Sequence, residues 1–172
     1  IPGFPQPAHE RPACSFGFCR TARWDQVDED VARSLEAAVQ ELRSAGHQVN
    51  EVLLPEEFAA VFDDHLLIND CEGARSLSKE LQMHPDKLSE ELLAMIERAR
   101  LTTWEQESAA KKRLAKLATV LEPIFQPFDA VLGASCGIVA PLGLEATGPS
   151  DFSKFWMALG LPQINLPLVR NA

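Results

Sequence analysis

Two short strand-like segments flank one helical segment near the start of the chain, and this order constrains the fold more than any other feature of the sequence. Residues 14–20, CSFGFCR, alternate in polarity as a strand does. Residues 25–45 carry apolar side chains at three- and four-residue steps, with acidic residues in the first turn and Gly46 just past the end, which predicts an amphipathic helix. Residues 47–54, HQVNEVLL, predict a second strand. A strand, a helix and a strand in this order predict a parallel crossover and therefore an α/β fold.

Three helical segments follow without an intervening strand. Residues 56–81 are mainly helical in pattern, and residues 85–100 predict a second helix. A third helix is expected to begin at Thr103, with Gln106 reaching back to complete the cap, and to stop at Pro127. The residues predicted to face the core are Leu88, Leu92, Ile96 and Ala99 on the second helix, and Trp104, Leu114, Leu117, Leu121 and Phe125 on the third.

The last part of the chain returns to strand patterns. Residues 129–135 are too apolar for a strand with one solvated face. A loop rich in glycine and proline leads to a short helix over residues 152–159, which Gly160 ends, and residues 163–169 predict a further strand. We therefore predict a layered α/β/α architecture with a mixed, largely buried sheet. Residues 1–172 are expected to form a single domain, of which residues 1–13, with four prolines, are an extended lead-in.

Composition excludes several classes of function. The net charge of -9 argues against nucleic-acid binding, which needs a basic surface. No run of residues reaches the roughly 18 apolar positions that a membrane-spanning helix requires, and the start of the chain has no signal-peptide pattern. The four cysteines show neither a CxxC pair nor zinc-finger spacing, so we expect reduced thiols, no metal site and no cofactor. A cytoplasmic protein that binds neither membrane nor nucleic acid is the expectation.

Three groups of residues carry a family resemblance. They are Glu72–Leu77 (EGARSL) leading into His84–Ser89 (HPDKLS); Phe128–Leu132 (FDAVL) before a loop that ends in Ala140-Pro141; and Thr147-Gly148 followed by Phe152–Trp156 (FSKFW), Leu159–Pro162 (LGLP) and Leu166-Pro167. In their order and spacing they resemble the amidase signature family of serine hydrolases, in the part that follows its catalytic core. Residues 133–137, GASCG, stand where that family usually has a loop rich in threonine and proline.

The resemblance implies hydrolysis of a carboxylic amide C–N bond to an acid and ammonia or an amine. The family uses a lysine, a bridging serine in a cis peptide and a nucleophilic serine on a Gly/Ser-rich loop. This chain has no Ser-Ser and no Gly-Gly dipeptide, so we expect it to hold no catalytic residue. We interpret it as the C-terminal-side, substrate-pocket and structural portion of such an enzyme. Its expected partners are the missing catalytic half and a small-molecule amide, and its buried strands favour association into homo-oligomers.

Three residues are candidates for the wall of the substrate pocket: Cys136, Phe155 and Trp156. Rigid apolar surface is what an acyl pocket needs; Phe155 and Trp156 lie in a segment that carries the resemblance, and Cys136 lies in the loop after residues 128–132. In the competing interpretation, the two aromatic residues only fix the short helix to the sheet and Cys136 is a buried thiol. Residues 63–65, Asp-Asp-His, are not expected to bind a metal, because consecutive helical side chains point in different directions.

Two other functions remain open at this point. One is a non-enzymatic α/β binding or interaction module derived from such an enzyme. The other is an independent hydrolase that uses Cys136, or Ser76 and Lys79, whose S-x-x-K spacing is that of penicillin-recognising enzymes. The ordinary interpretation of the Ser76 segment is a solvated helix face, on which Glu72 and Arg75 are spaced for a local ion pair.

Overall fold

A computed structural model of the protein describes residues 12–143 and 148–166. The described residues form, in chain order, β1 (Ser15–Cys19), α1 (Glu29–Ser44), β2 (Gln48–Val52), α2 (Val61–Ser76), α3 (Ser78–Met83), α4 (Glu90–Arg100), α5 (Trp104–Phe125), β3 (Ala130–Leu132) and α6 (Asp151–Ala158). Short 3-10 turns lie at Trp24–Gln26, Glu56–Ala60 and Pro85–Lys87. The predicted α/β class is confirmed.

The three strands form one parallel sheet in the order β2-β1-β3. Ser15 lies opposite Gln48 and Cys19 opposite Val52, so β1 and β2 pair over their whole length. The predicted parallel crossover is confirmed, with α1 as its helix. The chain then passes through α2 to α5 before β3 joins the free edge of β1, which makes β1 the central strand.

Side chains at the amino ends of β2 and β3 bind the backbone at the start of β1. His47 Nδ1 accepts a hydrogen bond from the backbone N–H of Cys14 at 3.1 Å, and Asp129 Oδ2 accepts one from the N–H of Ser15 at 2.8 Å. The N–H of Asp129 donates in turn to the carbonyl of Ser15 at 2.8 Å. These bonds stabilise one register of the sheet, because a shift of one residue would separate each acceptor from its donor.

Apolar side chains cover both faces of the sheet, which gives the protein three layers. On the face that α1 covers, Phe18, Val39 and Val49 are buried together. The other face carries a larger cluster, formed by Cys19, Val52, Phe58, Val61, Phe62, Leu114, Leu117, Leu121, Phe155, Trp156 and Leu159. Because successive strand residues point to opposite faces, the neighbours Phe18 and Cys19 belong to different clusters. The layered α/β/α architecture is as predicted.

Capping residues determine where α4 and α5 begin. Thr103 Oγ1 accepts a hydrogen bond from the N–H of Gln106 at 3.2 Å, and Gln106 Oε1 accepts one from the N–H of Thr103 at 2.8 Å, which confirms the predicted cap. Helix α4, which was predicted over residues 85–100, begins at Glu90, five residues later than expected. Ser89 caps it, and Pro85–Lys87 forms a separate turn.

Two residues that periodicity assigned to the core lie at the surface. Trp104 is 76% exposed and Leu92 is 36% exposed. Trp104 is the first residue of α5, where no described element packs over the helix, so the correct spacing does not bring burial. In α4 the buried residues are Ile96, which periodicity predicted, and Met95, which it did not.

Three buried carboxylates tie α2 to α4 and α5. The pairs are Asp64 with Arg113, Asp70 with Arg98 and Glu107 with Arg75, each bidentate. The predicted ion pair between Glu72 and Arg75 is wrong, because both side chains reach across to α5 instead. Glu72 contacts Lys111 Nζ at 2.7 Å, and Arg75 contacts the Glu107 carboxylate at 2.7 Å. Paired guanidinium groups offset the cost of burying these carboxylates.

The sheet is less complete than the strand predictions required. β3 covers only part of residues 129–135, and it is an edge strand of the described sheet with Ala130 exposed. Residues 163–166 have no regular secondary structure, and the rest of the strand predicted over residues 163–169 lies outside the described residues, as does most of the lead-in over residues 1–13. Within residues 12–143 and 148–166, no helix is long and apolar enough to cross a membrane.

Candidate functional site

A groove of about 790 Å³ lies between α1 and the segment that follows β3. The α1 wall is formed by Val31, Leu35, Ala38, Glu41, Leu42 and Ala45. The opposite wall comprises residues 131–136 and 138–140, and residues 164–166 also border the groove. Its volume lies within the range of small-molecule sites, about 300–1,000 Å³.

Both walls of the groove follow the carboxyl ends of strands. Helix α1 follows β1 and leads to β2, whereas β3 pairs with the opposite edge of β1. The chain therefore leaves β1 toward β2 on one side, while the segment that follows β3 lies on the other side of β1. In open parallel sheets, ligands bind in the crevice outside the carboxyl ends of the strands, where such a divergence occurs. Val31 and residues 134–136 border this crevice, and the groove extends from there along α1 to Ala45, which makes it the candidate binding site of the described residues.

Hydrogen bonds fix the wall that follows β3. Ser153 Oγ donates to the carbonyl of Ser135 at 2.8 Å, and the Cys136 thiol donates to the carbonyl of Pro149 at 3.1 Å. The first of these bonds ties the wall to α6, and the second ties it to the residues just before α6. Cys136 is half-buried and lines the groove. The structure therefore places one of the three predicted site residues at the groove.

Phe155 and Trp156 pack in the core cluster on the other face of the sheet. The Phe155 side chain is fully buried, with its ring centroid 5.1 Å from that of Phe62 and 4.8 Å from that of Trp156. Trp156 lies directly behind the wall, because a Cβ atom placed on Gly133 would be 3.2 Å from its Cζ2 atom. The structure thus separates Cys136, which lines the groove, from the two aromatic residues, which do not.

The Asp-Asp-His segment of α2 makes ion pairs with arginines rather than a cluster of metal ligands. Asp63 contacts Arg23 at 3.3 Å, and the Asp64 carboxylate is bidentate with Arg113. Burial lowers the pKa of His65, which favours the neutral imidazole. Across the described parts of the chain, no three His, Cys, Asp or Glu side chains are grouped as metal ligands would be.

Of the alternative nucleophiles, Cys136 lines the groove, whereas Ser76 and its neighbour Lys79 do not. Ser76 is the last residue of α2 and Lys79 lies in α3; both are exposed and a break at Leu77 separates the two helices. All four cysteines are free thiols, as predicted. Burial raises the pKa of Cys19 to about 12, which keeps this thiol protonated and therefore a poor nucleophile.

Sequence reasoning missed the α1 wall of the groove. It predicted only an amphipathic helix here, and in the structure Val39 is buried while Leu35, Ala38 and Leu42 are half-buried. In the described structure, three strands cover only part of this helix of 16 residues, and the rest of its apolar face borders the groove.

Comparison with known proteins gave similarity only at the level of structure. No protein-family model and no curated protein matches the chain. A bacterial aryl acylamidase that belongs to the amidase signature enzymes superposes with a TM-score of 0.65 at 12% identity, covering 86% of this chain and 35% of that one. The described residues have part of the amidase signature fold. This agrees with the resemblance found in the sequence motifs.

Two further solved structures support the amidase signature fold. An amidase gives a TM-score of 0.70 at 21% identity over 91% of this chain, and a 6-aminohexanoate cyclic dimer hydrolase gives 0.65 at 19% over 93%. The chain spans 37% and 41% of the length of these two proteins, respectively. At these identities the similarity establishes the fold.

Proposed function

We propose that the chain is the substrate-pocket and structural portion of an amidase-type hydrolase that acts on carboxylic amide C–N bonds. The observation that carries this proposal is the shared fold with three solved proteins, two of which are named as amidases and the third as a hydrolase. The reaction consumes water and releases a carboxylic acid and ammonia or an amine. The lysine and the two serines that this chemistry needs come from residues outside this chain.

In this proposal the groove holds part of the amide, and the three site residues have two roles. Cys136 contributes surface to the groove directly. Phe155 and Trp156 support the wall from behind, because Trp156 packs against the backbone at Gly133. A rigid wall keeps a bound acyl group in one position relative to an attacking nucleophile.

The chain's partner in this proposal is the catalytic half of the same enzyme, and residues 1–172 form one domain within that assembly. A groove bordered by an edge strand and by exposed apolar residues such as Ile164, which is 89% exposed, offers apolar surface for further polypeptide. A cytoplasmic location and the absence of nucleic-acid and membrane partners remain predictions from composition.

The longest reading frame that contains these residues provides the test. The protein that this reading frame encodes, here called the full product, is expressed, and so is the 172-residue chain alone. Release of aniline from a set of N-acyl anilides is measured for both. We expect hydrolysis by the full product only, with a lysine and a Ser-Ser pair encoded upstream of Ile1. Trp156→Ala is expected to lower kcat/KM of the full product. The control Trp104→Ala, at a tryptophan that is 76% exposed on α5, is expected to leave it unchanged.

Two outcomes would contradict this proposal. Binding of anilides by the full product without any hydrolysis would favour the non-enzymatic binding module. Hydrolysis by the 172-residue chain alone, lost on Cys136→Ala or on Ser76→Ala, would show that the chain carries its own nucleophile.

A further inference from the structure

Among the described residues that line the groove between α1 and the segment after β3, the only charged side chain is acidic. The lining of the groove is apolar apart from Glu41, Ser135, Cys136 and Asn165. None of the described lining residues is a lysine, an arginine or a histidine. Any charge that the described lining residues present to a ligand is therefore negative.

Among the described residues, Glu41 has no partner that would neutralise its charge. Over residues 12–143 and 148–166, its carboxylate takes part in no ion pair and no hydrogen bond. Two of the other three carboxylates of α1 are paired, since Asp30 contacts Arg33 and Glu36 contacts Arg20. Glu41 stands beside Ala38, Leu42 and Ala45 at the groove, where a bound molecule would approach its charge.

The surroundings reinforce this negative potential. The sequence carries a net charge of -9, so the long-range potential of the chain has the same sign as the charge of Glu41. A ligand carboxylate in the groove would be repelled by the Glu41 carboxylate, and none of the described lining residues is a cation that would compensate. A neutral apolar ligand would lose no binding free energy to this repulsion. An ammonium group would gain a modest attraction, of the size measured for exposed ion pairs.

We propose that the groove selects apolar amides that carry no negative charge, and that Glu41 is the residue that discriminates against a carboxylate. This inference rests on the proposed function, because it takes the groove as the place where the amide binds. The expected order of affinity is an amide with an ammonium group, then the neutral amide, then the amide with a carboxylate. Glu41 is expected to lower the affinity for the carboxylate ligand about two- to fivefold relative to the neutral amide, which is the range of a surface charge interaction.

Protection of the Cys136 thiol measures binding in the groove. Cys14→Ser removes the other partly exposed thiol, and Cys19 and Cys71 are buried, so a maleimide reports mainly on Cys136. The probes are valeranilide, its ω-amino analogue and its ω-carboxylate analogue, which share one apolar body. We expect the first two to slow labelling at lower concentration than the third, and Glu41→Gln to narrow the difference two- to fivefold.

Glu122→Gln is the matched control, since it removes the same charge from an exposed position on α5, the helix that packs on the other face of the sheet. It should leave the order and the size of the differences unchanged. Equal protection by all three probes, or a difference that Glu41→Gln does not narrow, would overturn the charge selectivity while the groove remained a binding site. Absence of protection by every probe would overturn the groove itself as the amide site.

Discussion

At the scale of single residues, the described part of the protein uses buried carboxylates as connectors rather than as catalysts. Glu107 accepts hydrogen bonds from Arg75 and contacts Lys111 Nζ at 2.9 Å, and these partners lower the pKa of its carboxyl group to about 2. The ionised form is therefore favoured in the folded state. A catalytic acid would need the opposite shift, toward neutral pH.

This pKa predicts a pH dependence of stability. Because the folded pKa of Glu107 lies below its unfolded value of about 4.5, the stabilisation is present above that value and is lost as the pH falls toward 2. We expect Glu107→Gln to lower Tm at pH 7 and to have progressively less effect between about pH 4.5 and 2. Thermal unfolding followed by circular dichroism across this range measures the difference.

Glu72→Gln is the control, because this carboxylate shares Lys111 with Glu107 but its side chain is 56% exposed. We expect a smaller change in Tm at pH 7. A decrease for Glu107→Gln that is the same at every pH would contradict the assigned pKa.

At the scale of elements, the contact between α2 and α5 combines an apolar stripe with bidentate ion pairs. Leu114, Leu117 and Leu121 bury the core side of α5. Asp64, whose side chain is only 6% exposed, meets Arg113 at one edge of that stripe. The pair fixes how the two helices align along their axes, since a guanidinium fork binds a carboxylate in one geometry.

Breaking this pair from either side should give unequal effects. Arg113→Ala leaves the buried Asp64 carboxylate without its partner, which should cost about 1–3 kcal/mol in the free energy of unfolding. Asp64→Ala leaves only an exposed arginine and should cost less. Urea unfolding of both variants and of the double variant measures the coupling, which we expect to be at least about 0.5 kcal/mol.

The exposed pair of Asp30 and Arg33 on α1 is the comparison for this cycle. Its side chains are 71% and 72% exposed, so Arg33→Ala should change stability by no more than about 0.5 kcal/mol. Equal costs for Arg33→Ala and Arg113→Ala would show that burial of Asp64 contributes nothing.

At the scale of the whole molecule, negative charge and exposed apolar surface have opposite effects on association between copies of the chain. Leu142 is 96% exposed and Ile164 is 89% exposed, and β3 has no further strand beside it in the described sheet. The net charge of -9 opposes association of copies of the chain at neutral pH, because like-charged molecules repel. Apolar surface of this kind promotes association once that charge is reduced.

We therefore expect the isolated chain to associate as the pH is lowered toward zero net charge, or as salt screens the repulsion. Sedimentation velocity at several pH values measures the change. Ile164→Lys, next to the groove, should reduce association. Leu101→Lys, at a leucine that is 84% exposed between α4 and α5, should reduce it less. Equal effects of the two variants would contradict a role for the groove edge.

Local patterns in the sequence determined the α/β class, the parallel crossover, the cap at Thr103 and the family resemblance. Each of these depends on residues close together in the chain, where periodicity, capping and motif spacing act directly. The departures, such as exposed Trp104, arise where burial depends on whether a distant element lies over a helix.

Only the tertiary structure decided that Cys136 lines a groove while Phe155 and Trp156 pack in the core cluster on the other face of the sheet. It also decided that Glu72 and Arg75 reach across to α5 rather than to each other. In each case the deciding contact joins segments far apart in the sequence. The spacing of residues along one helix or strand cannot determine which distant segment packs against it.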